Sequence, residues 1–163
     1  MSARPVPFSL DDLRRDVRYA CLRGPAPPDR ELLDPYGFIA QPAIVRRLGR
    51  WIGERLAADA GRLVGVGASA LPIALAVGLE LGVPVAFVEA GTIRGELSPG
   101  DRTAIVADIT RTGDSTMATM DAITAAGAEV LQLFVVWDRA EGALPRLRDL
   151  DLDNHILIQE RAR

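Results

Sequence analysis

Apolar residues recur at helical spacing twice in the first third of the chain, then give way to short apolar runs separated by small and polar loops. Leu10, Leu13, Val17 and Cys21 fall on one face of a predicted helix over residues 10–22. Ser9 followed by Asp12 forms a capping-box-like start. Gly24 to Asp29, with three prolines, breaks the pattern. Ile44, Val45, Leu48, Trp51, Ile52 and Leu56 predict a second helix from Pro42 to about Ala60.

Beyond Gly61 the period changes. Strands are predicted at Leu63–Val66, Val83–Val88, Thr103–Asp108, Glu129–Trp137 and Asp153–Gln159. Helices are predicted at Leu71–Leu81, ending at Gly82, and at Thr116–Ala126. Residues 67–70 read as a small-residue loop, 89–102 as a turn-rich connection and 109–115 as a polar loop. Strands alternating with helices imply an α/β fold, a Rossmann-like parallel sheet with helices on both faces. Residues 1–33 are expected to form a small N-terminal helical cap or an oligomer contact, and residues 34–163 the main domain.

Composition narrows the chemistry. At 163 residues, 48% apolar and 25% charged, the chain has the balance of an ordinary globular domain. A net charge of −3 argues against nucleic acid as a partner. No apolar stretch is long enough for a membrane span, and residues 1–10 lack a signal-peptide pattern, so a cytoplasmic location is expected. One cysteine and one histidine exclude an internal disulfide and multi-Cys or multi-His metal sites. All 19 basic residues are arginine, which removes every lysine-dependent mechanism. The Gly65-x-Gly67 pair lacks the third glycine of a dinucleotide fingerprint. Trp51, Trp137 and His155 read as core and strand-face residues.

In open α/β sheets ligands bind beyond the carboxyl ends of the strands. There, an apolar strand ends in Asp108, and the run Thr110-Arg111-Thr112-Gly113-Asp114-Ser115 leads into a helix. Helix N-terminal amides and hydroxyl groups suit a phosphate, and Asp108 suits sugar hydroxyls. The same run also fits a plain crossover with Ser/Thr capping.

The segment from Ala104 to Thr116 resembles the phosphoribosyl diphosphate (PRPP) motif of type I phosphoribosyltransferases. Gly95–Arg102 and Asp138-Arg139-Ala140-Glu141-Gly142 resemble segments that the orotate branch places before and after it. Gly65–Ala74 resembles that branch's pyrophosphate loop, and Asp34–Phe38 its hood. The resemblance spans roughly residues 34–160 and implies the type I phosphoribosyltransferase fold. It implies transfer of ribose 5-phosphate from PRPP to an anionic base such as orotate, with Mg²⁺, in a homodimer. It places the 5′-phosphate on Thr110, Arg111, Thr112, Gly113, Asp114 and Ser115, and ribose and Mg²⁺ on Asp108. Pyrophosphate falls to Gly67, Ala68, Ser69, Ala70 and Arg94, and the base to Phe38, Arg111 and Arg139.

The chain departs from that pattern at four places. Ala107 stands where the first of two acidic residues is expected. Arg111 stands at a position that approaches the base, where it suits an anionic ligand or fills the pocket, and Asp114 replaces a small or basic residue. Only Glu89-Ala90-Gly91-Thr92 occupies the place of a longer, lysine-bearing catalytic loop. These departures leave a second expectation open: a catalytically impaired PRPP- or nucleotide-binding regulatory protein on the same fold.

Overall fold

The computed structural model describes residues 8–22 and 33–160, so the Gly24–Asp29 break and the first seven residues lie outside it. The described chain runs α1 (Leu10–Cys21), α2 (Pro35–Ile39), α3 (Pro42–Gly53), β1 (Arg62–Val66), α4 (Gly67–Leu81), β2 (Val85–Glu89) and β3 (Thr92–Arg94). It continues through β4 (Arg102–Thr110), α5 (Asp114–Ala125), β5 (Glu129–Asp138), α6 (Ala143–Arg148) and β6 (Asp153–Gln159). The strands form one sheet in the order β3-β2-β1-β4-β5-β6. Every neighbouring pair is parallel except β2–β3.

Helices bury both faces of this sheet. On one face Leu13 and Val17 of α1, Leu48 and Ile52 of α3 and Ile73 and Val77 of α4 pack with Leu63, Ala104 and Phe134. On the other, Ile123 of α5 and Ala143 and Leu147 of α6 pack with Val64, Ile105, Leu133 and Val135. Trp51 and Trp137 are core residues, and His155 stacks on Phe134 with ring centroids 4.8 Å apart. The Ser9 side chain accepts the Asp12 N–H at 3.2 Å, so α1 begins where its cap requires.

The elements differ from expectation where side chains or neighbouring strands intervene. Helix α3 stops at Gly53, because the buried Gln132 amide captures the following backbone. It accepts the Ala57 N–H at 2.7 Å and donates to the Arg55 carbonyl at 3.0 Å. Strand β4 runs two residues beyond Asp108, where Ile109 and Thr110 find partners in Trp137 and Asp138 of the longer β5. Residues 67–70 are not a loop but the first turn of α4, which starts directly after Gly67 turns the chain at φ 73°. Pro72 sits early in that helix and withholds the donor that would close on the Ala68 carbonyl. The connection 89–102 contains β3, and α2 and α6 are further short helices.

Candidate active site

The site is built at the carboxyl ends of the adjacent strands β1 and β4. Each strand feeds directly into a helix, α4 after β1 and α5 after β4. Neither helix is capped by its own N-cap residue, since these are Val66 and Gly113; at α5 the Thr112 hydroxyl accepts the Asp114 N–H at 3.4 Å. Two sets of backbone N–H groups are therefore left for an anion, each with the positive end of a helix dipole behind it.

Asp108 lies between them. It is buried, and burial pushes its carboxyl above the ordinary carboxylate range. Three donors oppose that shift: the Ser69 hydroxyl and the N–H groups of Ile109 and of Asp108 itself. The Ser69 contact joins the start of α4 to the end of β4. It unites two residues expected to serve different parts of one ligand. Ala107, next in sequence, is buried in the second core and adds no oxygen to the site.

The phosphate run is tighter than a six-residue loop. Thr110 is the buried last residue of β4, Asp114 and Ser115 open α5, and only Arg111, Thr112 and Gly113 lie between. Gly113 holds φ 84°, and a Cβ there would sit 3.3 Å from Cα of Ala143. Asp114 is exposed, with its carboxylate on Arg146 at 2.5 Å and on the Thr112 hydroxyl at 2.8 Å. Arg146 foremost holds this carboxyl below the usual range.

Both arginines expected at the base meet one carboxylate. Arg111 donates to Glu141 Oε2 at 3.0 Å, and the largely buried Arg139 lies 3.8 Å from Glu141 Oε1. On its other side Arg139 lies 3.5 Å from Glu160 Oε2, and Glu160 Oε1 accepts the Trp137 indole N–H at 3.0 Å. The Asp138 carboxyl is fully buried. It takes the Ala140 N–H on one oxygen, and burial raises its pKa.

Three expected site residues are placed differently from the rest: two are buried and one lies out on β3. Phe38 is wholly buried in the first core and presents no surface to a base. Ala70 is likewise buried, inside the first turn of α4. Arg94 is exposed on β3, with β2 and β1 between it and β4. Conversely, Glu141, Arg146 and Glu160 had no assigned role. Only Glu141 carried a signal, as part of the Asp138–Gly142 segment.

Helix α1 reaches the last two strands of the sheet. Arg14 Nε donates to the Leu157 carbonyl at 2.8 Å, and the Arg18 guanidinium lies 5.4 Å from the Trp137 ring centre. Burial, then the charges of Asp34 and Asp108, push the Cys21 thiol up to about 12.

No protein-family model matches the chain. Over 122 residues it is 36% identical to the orotate phosphoribosyltransferase of Pyrococcus abyssi, a match covering 68% of this chain and 67% of that one. Over 134 residues it is 32% identical to that of Natronomonas pharaonis, covering 77% and 76%. The chain belongs to the orotate phosphoribosyltransferase family. A solved orotate phosphoribosyltransferase of Mycobacterium tuberculosis, in complex with PRPP, aligns with a TM-score of 0.77 at 25% identity over 92% of this chain and 95% of that one.

The connection between β2 and β3 is as short as two strands allow. Glu89 pairs directly with Thr92, leaving Ala90 (φ 48°) and Gly91 (φ 75°) as a two-residue hairpin turn. A positive φ at both central residues is the type I′ geometry, which suits tight strand pairing and leaves no length for a mobile loop.

Among the described residues no cluster of three or more His, Cys, Asp or Glu side chains is placed to hold a metal. The lone Asp108 carboxylate fits a Mg²⁺ ion that keeps most of its ligands from substrate phosphates and water. Among the described residues no helix is long and apolar enough to cross a membrane.

Proposed function

We propose that this protein transfers ribose 5-phosphate from PRPP to a carboxylate-bearing base of the orotate type. The observation that carries the reading is the pairing of two helix N-termini, whose N-cap residues Val66 and Gly113 bring no capping side chain, around one buried carboxylate. PRPP has the matching shape, with two anionic groups on either side of a diol sugar. The start of α5, residues 110–115, takes the 5′-phosphate. The start of α4, with Ser69, takes the pyrophosphate. Asp108 takes the ribose hydroxyls.

In the reaction a ring nitrogen of the base forms a bond to C1 of the ribose as the bond from C1 to pyrophosphate breaks. The transition state gathers positive charge on the sugar, which the Asp108 carboxylate stabilises. Mg²⁺, when bound with PRPP at Asp108, supplies charge neutralisation on the leaving pyrophosphate. Arg139, held between Glu141 and Glu160, meets the carboxylate of the base, with Arg111 beside it. The α1–α2 cap excludes water from the reacting end. The same reading includes a homodimer in the cytoplasm, and exposed Leu75 and Leu79 on α4 supply an apolar face for a second copy.

The type I′ hairpin and Ala107 favour a second reading, in which PRPP is bound without efficient transfer. Thermal unfolding with Mg²⁺–PRPP at about 100 times its dissociation constant tests binding first. Specific binding adds roughly 2.7 kcal/mol, on the order of 5–10 °C in Tm. A shift abolished by Asp108→Asn, together with pyrophosphate release on adding orotate, establishes the transferase. The shift without release establishes the second reading. Neither shift nor release sinks both, and turnover unchanged in Asp108→Asn overturns the role given to Asp108.

A further inference from the structure

Two consecutive carbonyls of the short loop after β4 are taken by one neighbouring segment. The Ala143 N–H donates to the Arg111 carbonyl at 3.2 Å, and Arg146 donates to the Thr112 carbonyl at 3.0 Å. In a trans peptide the carbonyl and the N–H of the next residue point in opposite directions. Pinning these two carbonyls toward α6 therefore turns the N–H groups of Thr112 and Gly113 the other way. Those are the amides immediately before the start of α5, and successive backbone amides on one side form an anion-binding concavity.

The pinning segment is itself rigid. Ala143 and Leu147 are buried in the second core, and Gly113 packs against Ala143 closely enough to leave no room for a Cβ without a shift. Arg146 is fixed in turn by Asp114.

We propose that Arg146 is a positioning residue for phosphate-ester binding, acting through the Thr112 carbonyl to aim the Gly113 amide at the anion. The inference rests on the reading of residues 110–115 as the 5′-phosphate site. Asp114 then has a use in this loop despite its negative charge: it holds the guanidinium in place on the outer side.

Binding of ribose 5-phosphate and of inorganic phosphate to the full chain, measured by titration calorimetry, tests this with Arg146→Ala and Arg146→Gln. Glutamine keeps a donor for the carbonyl and loses the charge. Arg146→Ala is expected to bind about tenfold more weakly, and Arg146→Gln to stay within about threefold of wild type. Melting temperatures should barely move, because exposed ion pairs contribute little to stability. The Gly113 amide resonance should shift on phosphate addition in wild type and Arg146→Gln, and much less in Arg146→Ala. If the wild type binds and both variants bind equally well, or both lose affinity equally, the positioning role is wrong while the phosphate site stands. A wild-type chain that binds neither phosphate overturns the site and this inference together.

Discussion

The Ser69 hydroxyl, at the start of α4, lies by the buried Asp108 carboxylate at the end of β4. The contact links the pyrophosphate side of the proposed site to its ribose side. It also favours the ionised form of a group that burial drives toward neutrality. Ser69→Ala removes that donor, so the Asp108 pKa should rise further. Because the reading requires the carboxylate, the acid limb of PRPP binding should move to higher pH. A binding profile with an unmoved acid limb would separate Ser69 from Asp108 function.

Asp108 also carries a stability cost. Its folded-state pKa lies above its unfolded value, so the folded protein holds the proton more tightly. That advantage is complete below the unfolded pKa and is lost as pH rises through the folded one. Asp108→Asn cannot ionise. In the absence of ligand it should therefore gain on wild type as pH climbs from the ordinary carboxylate range to neutrality, even as it loses PRPP binding. Thermal unfolding of both proteins across that range checks the sign. A variant that loses ground with rising pH would contradict the burial argument.

Much of this layout was legible from pattern alone, and the exceptions have physical causes. Strand β6 falls on Asp153–Gln159 as expected, because the continuous apolar run Ile156-Leu157-Ile158 serves both cores, Leu157 and Ile158 the first and Ile156 the second. Strand β3 was hidden because it is three residues long and enters through Ala90, a residue that does not announce a positive φ. Helix α6 was hidden by its six-residue length and by Pro145. Phe38 belongs to a segment that resembles the family's hood, but resemblance says nothing of which way a ring points, and here it points into the core. The carboxylates around Arg139 come from Glu141 and Glu160, 19 positions apart in the numbering. Only the pairing of β5 with β6 brings their segments together.

The cap depends on one close approach. A Cβ on Gly37 of α2 would fall 1.9 Å from the Ala20 carbonyl oxygen of α1, a backbone atom with little freedom to yield. Gly37→Ala should therefore force α1 and α2 apart. An overpacking cost of about 1–3 kcal/mol is expected, or roughly 3–10 °C in Tm for a chain of this size. Since α1 contacts Leu157 and Trp137 at the reacting end, PRPP turnover should fall more than PRPP affinity. Unchanged stability would mean that the helices are free to separate at no cost.

Glu141 decides how a negatively charged base reaches its arginines. Its carboxylate sits between Arg111 and Arg139, 3.0 Å from the first and 3.8 Å from the second. A base arriving with its own carboxylate must share those guanidinium groups or displace Glu141. Either way it meets a like charge. Glu141→Gln removes the charge and keeps a hydrogen-bonding side chain of the same length. Binding of orotate to the PRPP-loaded protein should tighten by roughly two- to fivefold, the range that partly exposed ion pairs support. Uncharged bases should show no gain, which separates the effect from a general loosening of the pocket. Weaker orotate binding in Glu141→Gln would instead mean that Glu141 holds Arg139 in its working position, and that the carboxylate belongs to the site rather than competing for it.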